Sequence, residues 1–466
     1  MPQHFRTLPL ALALCALLGA GTAAALEPLT FEAARTRFHE RADIFRADTA
    51  EVDRARHAAE SAKSLSGPKV DVTAMQIEGR KDLDLNLDIP AGVQQLGNVL
   101  TGGKIPIPNS MRFTDELDLS GPRAMISATW PLYTGGAITA QQNLLEHKVR
   151  EASAARSARL EEKDADLAMR YWGVQLARSV ESLRQDRLKD EEEQVHRAMR
   201  FEKKGLISKI ERMSVEVSRD TAKRELVAAQ TSARVAEAEL MSALREKELP
   251  ALSTPLFILT GDLGTLAQWQ SRARINSPVL SRIDAQVSQA GEGVRAAESA
   301  FHPQVFAFGM KNLVKHYLTP VEPDWMVGLG VKFTLWDNRD RFSALAASHS
   351  QEEKARAARS EADNQLASAV ETAFLRTTQA REEFLLTAST VALARENLRL
   401  REASFAEGLS TALDVREART QLTGAQIAER AAAYKFVVSW AMLHGAAGVM
   451  PDFVATLSRP DMKRVD

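Results

Sequence analysis

The segment that decides the fold reads Val327-Gly328-Leu329-Gly330-Val331-Lys332-Phe333-Thr334-Leu335-Trp336, and a run without glycine or proline follows it from Asp340 to Glu407. In the first part Val327, Leu329, Val331, Phe333 and Leu335 point one way, while Gly328, Gly330, Lys332, Thr334 and Trp336 point the other. That is the period-two alternation of a strand with one apolar and one mixed face. In the second part Leu366, Val370, Ala373, Thr377, Ala380, Phe384, Thr387, Val391, Ala394 and Leu398 recur at alternating spacings of four and three. This is the seam of a coiled coil, with small side chains favouring close packing. At ~1.5 Å per residue, such a helix is on the order of 100 Å long, which no compact globular domain needs.

Working outward, the chain is written twice. Trp130-Pro131-Leu132-Tyr133 aligns with Phe333-Thr334-Leu335-Trp336, and Gly205-Leu206-Ile207-Ser208 with Gly408-Leu409-Ser410-Thr411, both at an offset of 203 residues. Upstream, Ala58-Ala59-Glu60-Ser61-Ala62 recurs as Ala296-Ala297-Glu298-Ser299-Ala300, and Pro68 precedes Pro303 by 235 residues. The 32 extra residues of the first half fall near 83–122, a stretch rich in glycine and proline that reads as an elongated hairpin loop. Each half then reads helix, strand, turn, strand, long helix, tight turn, helix. The second long helix runs from about Ala137 to Lys204, with Gly173 as its only breaker. Shorter helices near 31–63 and 206–246, and near 265–300 and 409–446, are half as long, so that two stacked end to end match one long helix.

Four strands follow from the alternation: 70–77, 124–132, 305–313 and 327–336. In the second, Ala124, Ile126, Ala128, Trp130 and Leu132 share a face opposite Ser127 and Thr129. An apolar face against a mixed one is how a membrane barrel strand divides between lipid and lumen, and ~9–11 residues suffice to cross. Four strands cannot close a barrel, and open edges in lipid leave backbone groups unpaired. The chain is therefore expected to oligomerise.

Composition sets the compartment. Arg6 precedes an apolar run from Leu8 to Leu18, and Ala23-Ala24-Ala25 supplies small residues for cleavage, so 1–25 is expected to be an export signal. Cys15, the one cysteine, lies inside it, leaving the mature chain no thiol, and Leu14 before it argues against a lipoprotein signal. The net charge of −1 offers no basic face for a nucleic acid. Beyond the signal no 18-residue apolar stretch exists, so entry into a membrane has to be by β-barrel. The chain divides into signal 1–25, first repeat 26–250, second repeat 251–450 and tail 451–466.

At this point the sequence resembles the TolC family of outer-membrane factors. The resemblance is carried by Leu29-Thr30-Phe31-Glu32-Ala33, Asn276-Ser277-Pro278-Val279-Leu280, Phe301-His302-Pro303-Gln304-Val305 and, most specifically, Phe405-Ala406-Glu407-Gly408-Leu409-Ser410-Thr411-Ala412-Leu413-Asp414-Val415. It implies a mainly α fold with membrane β: a homotrimer with a twelve-stranded β-barrel, four strands per chain, continuing into a long periplasmic α-helical barrel. It also implies an outer-membrane channel of a Gram-negative bacterium, serving tripartite efflux or type I secretion. The implied partners are a periplasmic membrane-fusion adaptor, an inner-membrane transporter of RND or ABC type, and outer-membrane lipid.

By the same resemblance, Gly205, Leu206, Ile207 and Ser208 with Gly408, Leu409, Ser410 and Thr411 form the periplasmic tips that meet the adaptor. Glycine permits the reversal, and Ser or Thr can cap the next helix, though an ordinary helix-hairpin turn reads the same way. Asp414 and Glu417 match acidic rings that narrow that end, with Glu211 as the repeat partner of Asp414; a plainly solvated helix face is the alternative. Ser410 stands where some members carry a tip-locking arginine. Trp130 and Trp336 are candidates for the barrel rim or for packing where barrel meets helices.

No catalytic constellation is present: no two of the nine histidines lie within four residues, and no phosphate loop or nucleophile elbow occurs. No enzyme activity, cofactor or metal is expected. The competing reading is an exported coiled-coil scaffold or the adaptor itself, which the helices suit and the duplicated strand pairs do not. The sequence does not name the cargo.

Overall fold

The computed structural model describes residues 27–465 apart from 107, 119, 317, 319–321, 337 and 339; the expected signal at 1–25 lies outside them. In chain order the elements are helices α1 (Phe31–Arg41) and α2 (Asp43–Lys63), strands β1 (Lys69–Ile77) and β2 (Arg80–Asp88), helix α3 (Ala91–Leu100), and strands β3 (Ser110–Asp118) and β4 (Gly121–Tyr133). The long helix α4 (Ala137–Lys203) and its return α5 (Lys209–Leu244) complete the first half. The second half runs β5 (Leu256–Leu259), α6 (Leu266–Asn276), α7 (Pro278–Glu298), β6 (Gln304–Asn312), β7 (Trp325–Lys332), α8 (Arg341–Ala406) and α9 (Ala412–Ala447). It closes with α10 (Met450–Thr456) and β8 (Met462–Val465).

The two long helices span 67 and 66 residues, on the order of 100 Å each. The spine is α4, against which α2, α5, α7 and α9 all pack; α8 packs on α7 and α9. Every position of the α8 seam is buried or half-buried, with Val370, Thr377 and Phe384 almost completely enclosed.

The main core forms a belt at mid-height, where the ends of the half-length helices meet the middle of α4. Phe31, Tyr171, Trp172, Phe257, Phe436, Trp440 and Phe453 are all fully buried there. Their polar atoms are satisfied: the Tyr171 hydroxyl donates to the Leu29 carbonyl at 2.6 Å, and Trp172 Nε1 donates to the Pro255 carbonyl at 3.0 Å. The expected tail, 451–466, packs into this belt, because α10 buries Phe453 and β8 pairs antiparallel with β5.

Both half-length helices that precede the strands are broken. The first breaks at Ala42, which is extended, so that Phe38 and Phe45 meet edge to face at 5.2 Å; the second breaks at Ser277, which caps α7 with Pro278 in its first turn. The offset of 235 residues that relates Pro68 to Pro303 also relates these two breaks.

The strands form one four-stranded antiparallel sheet in the order β1-β4-β6-β7. Val70 opposes Ala128, Val72 opposes Ile126, Trp130 opposes Ala307, Ala307 opposes Leu329 and Val305 opposes Val331, so one face that is apolar but for Gln76 and Lys311 at its outer end runs across the sheet. Lys69, Asp71, Ser127, Thr129 and Lys332 lie on the other face. The last strand ends at Lys332, four residues before the expected end, and leaves Phe333 to Trp336 in the connection to α8. The extra chain of the first half is a second ribbon, β2 paired with β3, that carries the short helix α3.

Candidate functional site

Two places concentrate functional geometry: the helix tips at one end, and the sheet at the other. At the first tip Gly205 has φ +77°, its N–H donates to the Glu202 carbonyl at 2.8 Å, and the Leu206 N–H donates to the Phe201 carbonyl at 2.9 Å. At the second tip Gly408 has φ +76°, with Gly408 to Phe405 at 3.1 Å and Leu409 to Ser404 at 2.9 Å. Both are Schellman closures, which satisfy the last carbonyls of a helix and require the left-handed conformation that glycine adopts without strain.

Each tip then restarts with a capping box. Ser208 Oγ accepts from the Glu211 N–H at 3.2 Å and Glu211 Oε2 accepts from the Ser208 N–H at 2.7 Å. Thr411 Oγ1 accepts from the Asp414 N–H at 3.2 Å, while Asp414 Oδ2 accepts from the Thr411 N–H at 2.9 Å, the Thr411 hydroxyl at 2.7 Å and the Ser410 hydroxyl at 3.1 Å. These bonds, the Thr411 backbone one first, hold the Asp414 carboxyl below its ordinary range. Glu211 and Asp414 are thus engaged at helix starts, whereas Glu417 is exposed one turn further along α9. Leu206 and Leu409 are 66% and 79% exposed, two apolar side chains at the very end of the molecule.

Behind the tips, arginines that the sequence reading passed over join the two hairpins. Arg416 on α9 donates to Ser218 at 2.9 Å and Ser214 at 3.3 Å on α5. Arg419 pairs with Glu402 on α8 and reaches Asp190 on α4 at 3.6 Å. Burial pushes the neighbouring Asp190 and Glu191 carboxyls up, against the pull of the nearby arginines. The only sequence signal was the Arg416–Arg419 spacing, which places both on one face of a helix.

At the other end, Trp130 lies near the helix-side end of β4, and its Nε1 donates to the Ser66 carbonyl at 2.8 Å just beyond α2. Trp336 lies in the β7–α8 connection, 85% exposed, with Nε1 donating to Asn338 Oδ1 at 2.8 Å. Both tryptophans therefore stand where sheet meets helices. The apolar face of the sheet is open, with Val72, Leu329 and Val331 about 70% exposed. Among the described residues both outer strands, β1 and β7, keep an edge without a partner strand in the sheet. Three such sheets joined edge to edge supply twelve strands.

Among curated proteins, no sequence matches this chain significantly. The fold is that of solved outer-membrane proteins. VceC from Vibrio cholerae matches with a TM-score of 0.71 at 13% identity, covering 90% of this chain and 96% of that one. The open-state MtrE outer membrane channel of Neisseria gonorrhoeae matches with 0.69 at 17%, covering 90% and 89%. The CmeC outer membrane channel of Campylobacter jejuni matches with 0.71 at 11%, covering 92% and 89%. The family model for "Outer membrane efflux protein" matches residues 39–244 and 269–449. The chain belongs to the outer membrane efflux protein family, and its place is the outer membrane of a Gram-negative bacterium, with the long helices in the periplasm.

Proposed function

We propose that three copies of this chain form the passive outer-membrane conduit of a tripartite efflux assembly. A periplasmic adaptor docks at the tips, and an inner-membrane transporter supplies the energy. The observation that carries this reading is the pairing of an open-edged sheet at one end with two equivalent glycine tips at the other. An unpaired edge in lipid is costly, so the sheet calls for neighbours; a tip that ends in an exposed leucine calls for a partner.

In this reading Gly205 to Ser208 and Gly408 to Thr411 receive the adaptor, and Glu417 contributes the acidic ring, with Asp414 and Glu211 occupied in capping. Trp130 and Trp336 sit at the inner rim of the barrel. Arg416 and Arg419 hold the hairpins together until docking parts them, a role that the serine at 410 leaves open. The test is reconstitution of the purified trimer in planar bilayers with and without an adaptor. Arg416→Ala with Arg419→Ala is expected to raise conductance without adaptor, and Gly408→Pro to abolish docking. Full export by a chain with both tips scrambled would refute the docking assignment.

A further inference from the structure

The face of the sheet that carries Lys69, Asp71, Ser127 and Thr129 also carries Phe306 and Phe308 on β6. The register leaves no latitude: Thr129 opposes Phe308, and Phe308 and Phe306 in turn oppose Gly328 and Gly330 on β7. The opposite face is apolar apart from Gln76 and Lys311 at its outer end, which suits lipid, so the face holding Lys69, Asp71 and Lys332 is the lumen. Two phenylalanines in a water-filled passage carry a hydrophobic cost unless something covers them.

The structure covers them on one side only. A Cβ on Gly330 would lie 2.5 Å from the Phe306 ring, and one on Gly328 would lie 2.9 Å from the Phe308 ring, so each ring rests on bare backbone. The two rings are 6.1 Å apart between centroids and tilted by 49°, side by side along the strand, and each phenylalanine as a whole is half-buried. The cross-strand pair Met310 and Met326 extends the apolar stripe along the same face. Toward the helices the β1–β4 part of that face is polar, with Ser127, Thr129 and the Lys69–Asp71 ion pair at 3.0 Å, while Met75 and Met125 lie further out.

We propose that this stripe is a transit site for small aromatic solutes, repeated three times around the barrel lumen and separated by polar sectors. Flat apolar groups stack on the exposed ring surfaces, and the intervening polar sectors keep the passage wet. The inference rests on the conduit reading given above and names the chemistry that its lumen favours.

The experiment is planar-bilayer recording of the trimer with phenyl glucoside or methyl glucoside in the bath, two sugars that differ by an aromatic ring. Phenyl glucoside is expected to block the current saturably and methyl glucoside not to. Phe306→Ser with Phe308→Ser should raise the half-blocking concentration about tenfold. Phe306→Leu with Phe308→Leu, which keeps an apolar stripe, should raise it less. Equal block by the two sugars in the unaltered channel would overturn the proposal even if the serine pair failed to assemble. So would unchanged phenyl glucoside block in a conducting, trimeric serine variant. Absence of any conductance from a correctly assembled trimer would instead refute the conduit reading, and the transit site with it.

Discussion

Asp414 and Glu417 sit three residues apart on α9, yet the start of that helix uses only the first. Sequence position and charge sign made them equivalent, because a capping box is declared by backbone geometry as well as by residue type. The pattern Thr411-x-x-Asp414 was there to be read, as was Ser208-x-x-Glu211. Thr411→Ala is expected to cost ~1 kcal/mol, seen as faster amide exchange confined to the first turn of α9. Glu417→Gln should leave that exchange unchanged and lower the cation preference of the conducting channel.

Two groups in the mid-height belt, the half-buried Glu161 and the buried His444, oppose each other in pH. Burial raises Glu161 to about 7, and burial lowers His444 to about 4. A raised carboxyl binds more protons folded than unfolded, so its contribution to stability declines as pH rises from about 4.5 to 7. A depressed histidine does the reverse, and stability is lost as pH falls from about 6.5 to 4. The two slopes largely cancel across the same window. Glu161→Gln, whose amide oxygen still accepts from the Met450 N–H, should expose the histidine slope: the melting temperature then rises with pH between about 4 and 6.5. A flat profile in that variant would show that His444 is not driving it.

At the scale of elements, the long helices and the strand pairs were legible because both periods run long enough to outvote local noise. The seam from Leu366 to Leu398 needed no tertiary information. Phe384, 2% exposed at its centre, is expected to cost ~3–5 kcal/mol as Phe384→Ala, read from chemical denaturation. The breaks at Ala42 and within 265–300 were not read, although Ser277-Pro278 signalled the second. Nothing in the composition around Ala42 marks the first; burial of Phe38 and Phe45 on either side decides it.

Strand ends were legible only to within a few residues, since Phe333 and Leu335 continue the alternation after β7 has stopped. The extra chain near 83–122 reads as an elongated hairpin loop, and in it Leu85 and Leu87 on β2 oppose Phe113 and Met111 on β3. Cross-strand pairing of that kind joins residues too far apart in sequence for a local reading. The β4–α4 corner gives a sharp test. Gly135 and Gly136 both have positive φ, but a Cβ on Gly135 would lie 2.7 Å from His302 Cβ and one on Gly136 would meet nothing. Gly135→Ala should therefore reduce trimer yield in membranes far more than Gly136→Ala.

The whole molecule makes sense only in company. Its sheet has two open edges and a lipid-suited face, its helices reach on the order of 100 Å from that sheet, and among the described residues no helix is long and apolar enough to cross a membrane. The duplication, visible as paired landmarks 203 residues apart, gives each copy two hairpins and two strand pairs, so three copies carry six and six.

The central claim is that β1 of one copy pairs with β7 of the next. The mature chain expected from the sequence has no cysteine, so disulfide cross-linking starts from a clean background. A cysteine at Val72 would be combined in turn with one at Val327, Leu329 or Val331, and outer membranes examined on non-reducing gels. The account predicts dimer and trimer bands for at least one register, collapsing to monomer on reduction. Monomer alone in all three, from protein that is folded and in the outer membrane, would contradict it.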